Sequence, residues 1–190
     1  MSRVLATELP SAAFSPDLRV DEARLGRIVA AHFDVLWRFL RRLGVPESDV
    51  DDVVQEVILV VARKLDAVEP ESERAFVLST GFRVASGLRR QWRRRAEAGD
   101  DALFGLESDL PDPEHMSEQR ELRRTLDAVL AELPLELRAV FVLYELEQMT
   151  MAEISTTLAL PSGTVASRLR RAREKFELLA ARAFPEGGEP

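Results

Sequence analysis

The sequence predicts an all-α protein: two small helical domains joined by an acidic, flexible linker. Three observations carry this reading. Apolar residues recur at three- and four-residue steps through most of the 190-residue chain, the mark of amphipathic helices. The one long interruption, residues 97–117, sets Gly99, Gly105, Pro111 and Pro113 among acids, which is the composition of a linker. Charge is also segregated. Six arginines lie between Arg83 and Arg95 without an acid, nine acids lie from Glu97 to Glu121 against Arg120 alone, and five bases lie from Ser162 to Lys175 against Glu174. A chain with a net charge of -7 and two separate basic blocks can hold a polyanion in two places and stay acidic elsewhere.

Residues 1–20 carry Pro10 and Pro16 without sustained periodicity and read as a loose tail. From Asp21, the positions Leu25, Ile28, Val29, Phe33, Leu36, Trp37, Leu40 and Leu43 form one helical stripe, ended by Gly44 and Pro46. A second helix is expected after Ser48 or Asp49, either of which suits the cap. Asp49, Asp51 and Asp52 then sit in its first turn, where the helix dipole favours negative charge, and Val54, Val57, Ile58, Val61 and Leu65 are its inner face. A third helix, about Glu73 to Arg95, turns Val77, Val84, Ala85, Leu88 and Trp92 inward. After the linker, Leu122, Leu126, Val129, Leu130 and Leu133 mark a helix stopped near Pro134, and Leu137, Val140, Phe141 and Tyr144 mark the next. Thr150-Met-Ala-Glu153 is a capping box, Ala159-Leu160-Pro161 a tight turn, and Ser162 the expected cap of a last helix with Val165, Leu169, Ala172, Phe176 and Leu179 inside. Residues 184–190 read as a short tail. The linker's glycines, prolines and charge predict two mechanically independent units, unless Leu103, Phe104 and Leu106 dock on something.

Several function classes fall away. Cysteine is absent and there are two histidines, His32 and His115, so no thiol chemistry, disulfide scaffold or Cys/His metal site is expected. No nucleophile–base pair, phosphate-binding glycine loop or catalytic carboxylate spacing is present, so neither an enzyme nor a cofactor is expected. No apolar run reaches the length of a membrane span, and the N-terminus does not read as a secretory signal. The expected compartment is the cytoplasm.

The strongest motif is TMAEISTTLALPSGTVASRLRRAREK at 150–175: a capped short helix, a turn, then a helix with small polar residues leading and bases behind. This is the sequence form of a helix-turn-helix. A recognition helix enters the major groove when its leading end is narrow and hydrogen-bonding, as Ser162, Gly163, Thr164 and Ser167 make it. Arg168, Arg170 and Arg171 then stand within reach of base edges or phosphates. The block RVASGLRRQWRRR at 83–95 holds more cations than a helix C-terminus needs and is a second candidate nucleic-acid surface; its Trp92 suits either base stacking or the core. Around SDVDDVVQE, the residues Asp52, Gln55 and Glu56 serve either as helix-start decoration or as an outward surface for a basic partner helix. Both readings stand at this point.

Together these segments resemble the extracytoplasmic-function sigma factors, group 4 of the bacterial sigma-70-type family, over residues 21–183. SDVDDVVQEVILVVARKL resembles the region 2 motif, and LPLELRAVFVLYELEQMTMAEISTTLALPSGTVASRLRRARE resembles region 4. The resemblance implies a region 2 domain at 21–96 and a region 4 domain at 118–183. It implies promoter-specific transcription initiation in response to an envelope or environmental stress signal. It implies as partners the β and β′ subunits of core RNA polymerase, promoter DNA and an anti-sigma factor, without membrane insertion. By position it implies that Asp52, Gln55 and Glu56 face polymerase. Arg83, Ser86, Arg89, Arg90, Arg93 and Arg94 would lie near the −10 element, and Ser162, Thr164, Ser167, Arg168, Arg170, Arg171 and Arg173 near the −35 element. The chain departs from the pattern at Gly87, where an acid is frequent, at Phe76 or Val77, where a tryptophan is, and at Ala166, where a base is. The alternatives are a stand-alone helix-turn-helix regulator, for which no spare dimerisation element remains, and a helical adaptor for an acidic protein.

Overall fold

The structure is a computed structural model describing residues 21–97 and 118–183, and every regular element among them is helical. The expected tails, the linker and its Leu103, Phe104 and Leu106 lie outside the described residues. The first unit is three helices, α1 (Glu22–Leu43), α2 (Glu47–Lys64) and α3 (Glu73–Glu97), with two short 3-10 turns between the last two. Asp21 caps α1 by accepting the amide of Arg24 at 2.9 Å. Gly44, in the left-handed conformation at φ 95°, ends it, a geometry that glycine adopts without a Cβ penalty. The expected cap of α2 is corrected. Pro46 occupies the cap position and makes no side-chain cap bond, while Ser48 lies in the first turn and its hydroxyl donates to Asp49 at 2.8 Å. Helix α3 crosses α1 closely at Gly81, where a Cβ would stand 2.7 Å from a methyl of Leu36.

The second unit comprises α4 (Glu118–Ala131), α5 (Leu135–Phe141), a π-helical segment at Val142–Leu146, α6 (Met151–Leu158) and α7 (Ser162–Ala183). Its core joins α5 to α7, where the rings of Phe141 and Phe176 stack with centroids 4.6 Å apart.

The expectation of mechanical independence does not hold, because the units form one body. Helix α3 packs on α6, and α1 packs on α4, α5 and the π-helical segment. One continuous set of buried apolar side chains runs through both units. Closing a connection of about 20 residues costs roughly 3 kcal/mol of chain entropy; burying one or two leucines offsets it. The seam also explains which α3 residues are inside. Positions 74, 78, 85 and 89 share one side of the helix, with Leu78 and Ala85 buried between Arg74 and Arg89, both of which reach the seam. Leu78, absent from the expected stripe, lies on this face with Ala85 and is fully buried. Phe39 is likewise fully buried, whereas the expected inward residues Phe33 and Leu122 are exposed.

Candidate nucleic-acid interface

The helix-turn-helix is assembled from local bonds. Thr150 Oγ1 accepts the amide of Glu153 at 3.3 Å, and the Glu153 carboxylate accepts the Thr150 amide and hydroxyl at 2.7 Å each. These bonds hold the Glu153 carboxyl below its ordinary pKa. Ala159, left-handed at φ 52°, turns the chain, and the Ser155 hydroxyl donates to the Leu160 carbonyl. Helix α7 then starts at Ser162. The expected cap at Ser162 is corrected: it is the first helical residue, and the amides of Thr164 and Val165 donate to the carbonyl of Pro161 at 2.8 and 3.0 Å.

Val165, Leu169, Ala172 and Leu179 of α7 are buried. Ser162, Arg170, Arg171 and Arg173 are exposed, while Thr164, Ser167 and Arg168 are half-buried. The arginines differ in what holds them. Arg170 pairs with Glu174 one turn on at 2.6 Å, an exposed pair that contributes only about 0.3–0.5 kcal/mol and yields readily to a phosphate. Arg171 Nε donates to the Ser167 carbonyl at 3.4 Å, leaving its terminal nitrogens outward. Arg173 donates to Glu145 at 2.6 Å and lies 5.2 Å from the ring centre of Tyr144. The Glu145 bond raises its pKa and ties this cation to the π-helical segment.

On α3, Arg90 and Arg94 are exposed, whereas the side chain of Arg93 lies outside what is described. Arg83 folds back, donating to the Ser79 carbonyl at 3.2 Å and hydroxyl at 2.9 Å. The Ser86 hydroxyl is enclosed without a hydrogen-bond partner, as is that of Thr80. Arg89 is half-buried and lies close enough to Arg138 to lower the pKa of that residue. Between α2 and α3 an open groove of about 440 Å³ is lined by Glu56, Phe76, Thr80, Arg83, Gly87 and Gln91, among others.

Asp52, Gln55 and Glu56 are all exposed on α2, and Glu56 borders the same groove as Arg83 of α3. One turn further along the same face stands Leu59, 50 % exposed, which the sequence reading passed over although its 3–4 residue spacing from Gln55 and Glu56 was visible. Two seam residues were also passed over, Arg138 and Glu147, and no local pattern marks either. Among the described residues no group of three or more His, Cys, Asp or Glu is placed to hold a metal, and no helix is long and apolar enough to cross a membrane.

The family model described as "Sigma-70, region 4" matches residues 123–176, the part that contains the helix-turn-helix. The ECF RNA polymerase sigma factor SigE of Mycolicibacterium smegmatis is 31% identical over 154 residues, covering 78% of this chain and 58% of SigE, so the match leaves over a third of that longer protein unspanned. The RNA polymerase sigma factor CnrH of Cupriavidus metallidurans is 31% identical over 167 residues, covering 84% of this chain and 87% of CnrH. The solved structure of CnrH in complex with the cytosolic domain of CnrY superposes with a TM-score of 0.65 at 26% identity, covering 87% of this chain and 92% of that one. Similarity of this extent reaches both helical units as well as the helix-turn-helix, and on it the chain belongs to the extracytoplasmic-function RNA polymerase sigma factors.

Proposed function

We propose that this chain binds core RNA polymerase through the exposed face of α2 and directs initiation at promoters read by α3 and α7. The observation that carries the reading is the outward face of α7, where a capped, tightly turned scaffold presents Arg170 and Arg171 to solvent. Membership of the sigma family supplies the rest of the reading. In it, Asp52, Gln55 and Glu56 meet a basic surface of polymerase, Arg90 and Arg94 meet the −10 region, and the α7 residues meet the −35 region. The residues at 21–96 form the polymerase-binding and −10 unit, those at 118–183 the −35 unit, and the acidic segment joins them. Localisation in the cytoplasm follows from that role. An anti-sigma factor is the expected regulator, since the similar CnrH is held in complex with the cytosolic domain of CnrY.

Distance gives this function a mechanical requirement. Elements centred about 25 base pairs apart are separated by roughly 85 Å of straight duplex at about 3.4 Å per base pair. A compact body of this size is about 40 Å across. Both elements are therefore reached together only when the two units separate. The test is reconstituted transcription: core polymerase with this chain initiates at promoters selected from random DNA, and core polymerase alone does not. A charge reversal at Asp52 and Glu56 that leaves helix content intact should weaken polymerase binding. Binding to duplex DNA with full specificity in the absence of polymerase, and no initiation in its presence, would favour the stand-alone regulator instead.

A further inference from the structure

We propose that Glu147 is a charge latch that holds the free chain closed. Its position is produced by the π-helical segment. There the amide of Glu147 donates five residues back, to the Val142 carbonyl at 3.0 Å, and the amide of Met149 donates to Leu143 at 2.9 Å. Between them Gln148 adopts a left-handed φ of 55°. One residue more than an α-turn is thus accommodated, a distortion often found at functional positions. Here it turns Glu147 out of its own unit and onto the other.

Three arginines of the first unit receive it. Arg42 donates to the carboxylate at 2.8 Å, Arg38 lies 3.7 Å from the second carboxylate oxygen, and Arg74 donates to the Glu147 backbone carbonyl at 2.9 Å. The Glu147 side chain is only 4% exposed, whereas those of Arg42 and Arg38 are 22% and 47% exposed. The neighbouring Arg41 is engaged elsewhere, by the Val45 carbonyl and by Glu47. One carboxylate of the second unit is therefore clasped by α1 while its backbone is held by α3.

The chemistry of that contact decides what it does. A buried ion pair stabilises no more than well-packed apolar residues of the same size, because desolvation offsets attraction. Its distinguishing property is conditionality: if either partner loses its charge or its counter-ion, the other is left buried and unpaired, at a cost that a leucine contact never incurs. A seam closed through Glu147 therefore opens steeply when the clasp is disturbed, while each unit keeps its own core. The functional consequence, control over when the α3 and α7 faces can reach separate DNA elements, rests on the proposed function. The latch itself does not.

The experiment uses the full free chain. Its lack of cysteine permits Leu59→Cys on α2 and Leu178→Cys on α7, both at exposed positions, to carry a dye pair for energy transfer between the units. The closed-to-open ratio is read across a urea series below the unfolding transition, with helix content followed by circular dichroism. Glu147→Gln and Arg42→Gln are each expected to lower the ratio by about tenfold or more, and the double variant to lower it no further than the larger single effect, because both remove one interaction. A folded Glu147→Gln variant with the wild-type distance distribution overturns the proposal, as do single effects that add fully. Should Glu147→Gln lose helix content, Arg42→Gln decides alone: an unchanged ratio overturns the latch and a lowered one supports it. No polymerase or DNA takes part, so failure of the latch and failure of the transcription reading are distinguishable.

Discussion

Arg138 offers a quantitative test of how the seam is built. It is 2% exposed and faces no carboxylate; its guanidinium donates to backbone carbonyls at the ends of two helices. These are Leu43 at 3.0 Å, Leu133 at 3.1 Å and Ala131. The C-termini of α1 and α4 thus share one cation, where the dipoles of both favour positive charge. Two opposing magnitudes decide the net effect. Burial, and secondarily the charge of Arg89, push the Arg138 pKa from 12.5 down to about 10, which puts the cost of holding the cation there at about 3 kcal/mol. Against it stands what removal of the guanidinium would cost: three carbonyls in the seam would lose this donor, at about 1–3 kcal/mol for each one left buried and unsatisfied. We expect Arg138→Ala to lower stability by about 3 kcal/mol, inside the range for breaking a buried charged network. Arg138→Met keeps most of the volume and isolates the polar part, and it should lose about 2 kcal/mol because the carbonyls remain unsatisfied. The assay is urea unfolding followed by circular dichroism, with the slope compared between variants to confirm that the same surface unfolds. If Arg138→Met proved as stable as the wild type, the bonds would only balance the desolvation of the cation. The claim that this residue joins the units would then be wrong.

Other outcomes follow from the same contacts. Gly44→Ala should cost about 1–2 kcal/mol from its left-handed backbone alone. More is lost because the added Cβ would stand 2.8 Å from Arg138 Nη1, and the same urea titration reads it. Thr150→Ala should cost about 1 kcal/mol at neutral pH. The folded-state pKa of Glu153 is depressed from 4.5 by its bonds to Thr150, so its contribution is present above that value and is lost as pH falls through the depressed one. The difference between wild type and Thr150→Ala should therefore shrink on acidification below about pH 4.5, measured as unfolding free energy against pH. Arg171→Ala should erase about 1–3 kcal/mol of discrimination among −35 variants, measured by binding at fixed salt. Arg173→Ala, removing a cation already tied to Glu145 and Tyr144, should weaken all of them alike.

The sequence alone was enough to predict the helices and the helix-turn-helix. Each of these depends on residues close together in the chain: the capping box spans Thr150 to Glu153, and the inner face of α7 repeats every three or four residues from Val165 to Leu179. Periodicity states that a helix has an apolar face, but it does not state what covers that face. Hence Phe33 and Leu122 looked internal and are exposed, while Phe39 and Leu78 went unremarked and are fully buried. Capping depends on where the first turn begins, so Pro46 and Pro161 displaced the expected Ser48 or Asp49 and Ser162. The union of the two units was not legible at all, because an acidic linker argues for separation and the contacts that oppose it are distant in sequence. Arg138 meets Leu43 across 95 residues and Glu147 meets Arg42 across 105. In the sequence, Arg138 is one base among the apolar residues of α5 and Glu147 one acid after them. Only the packing of α1 and α3 against the second unit turns the first into a shared helix cap and the second into the partner of three arginines, because burial and partnership belong to the assembled body rather than to any local stretch of chain.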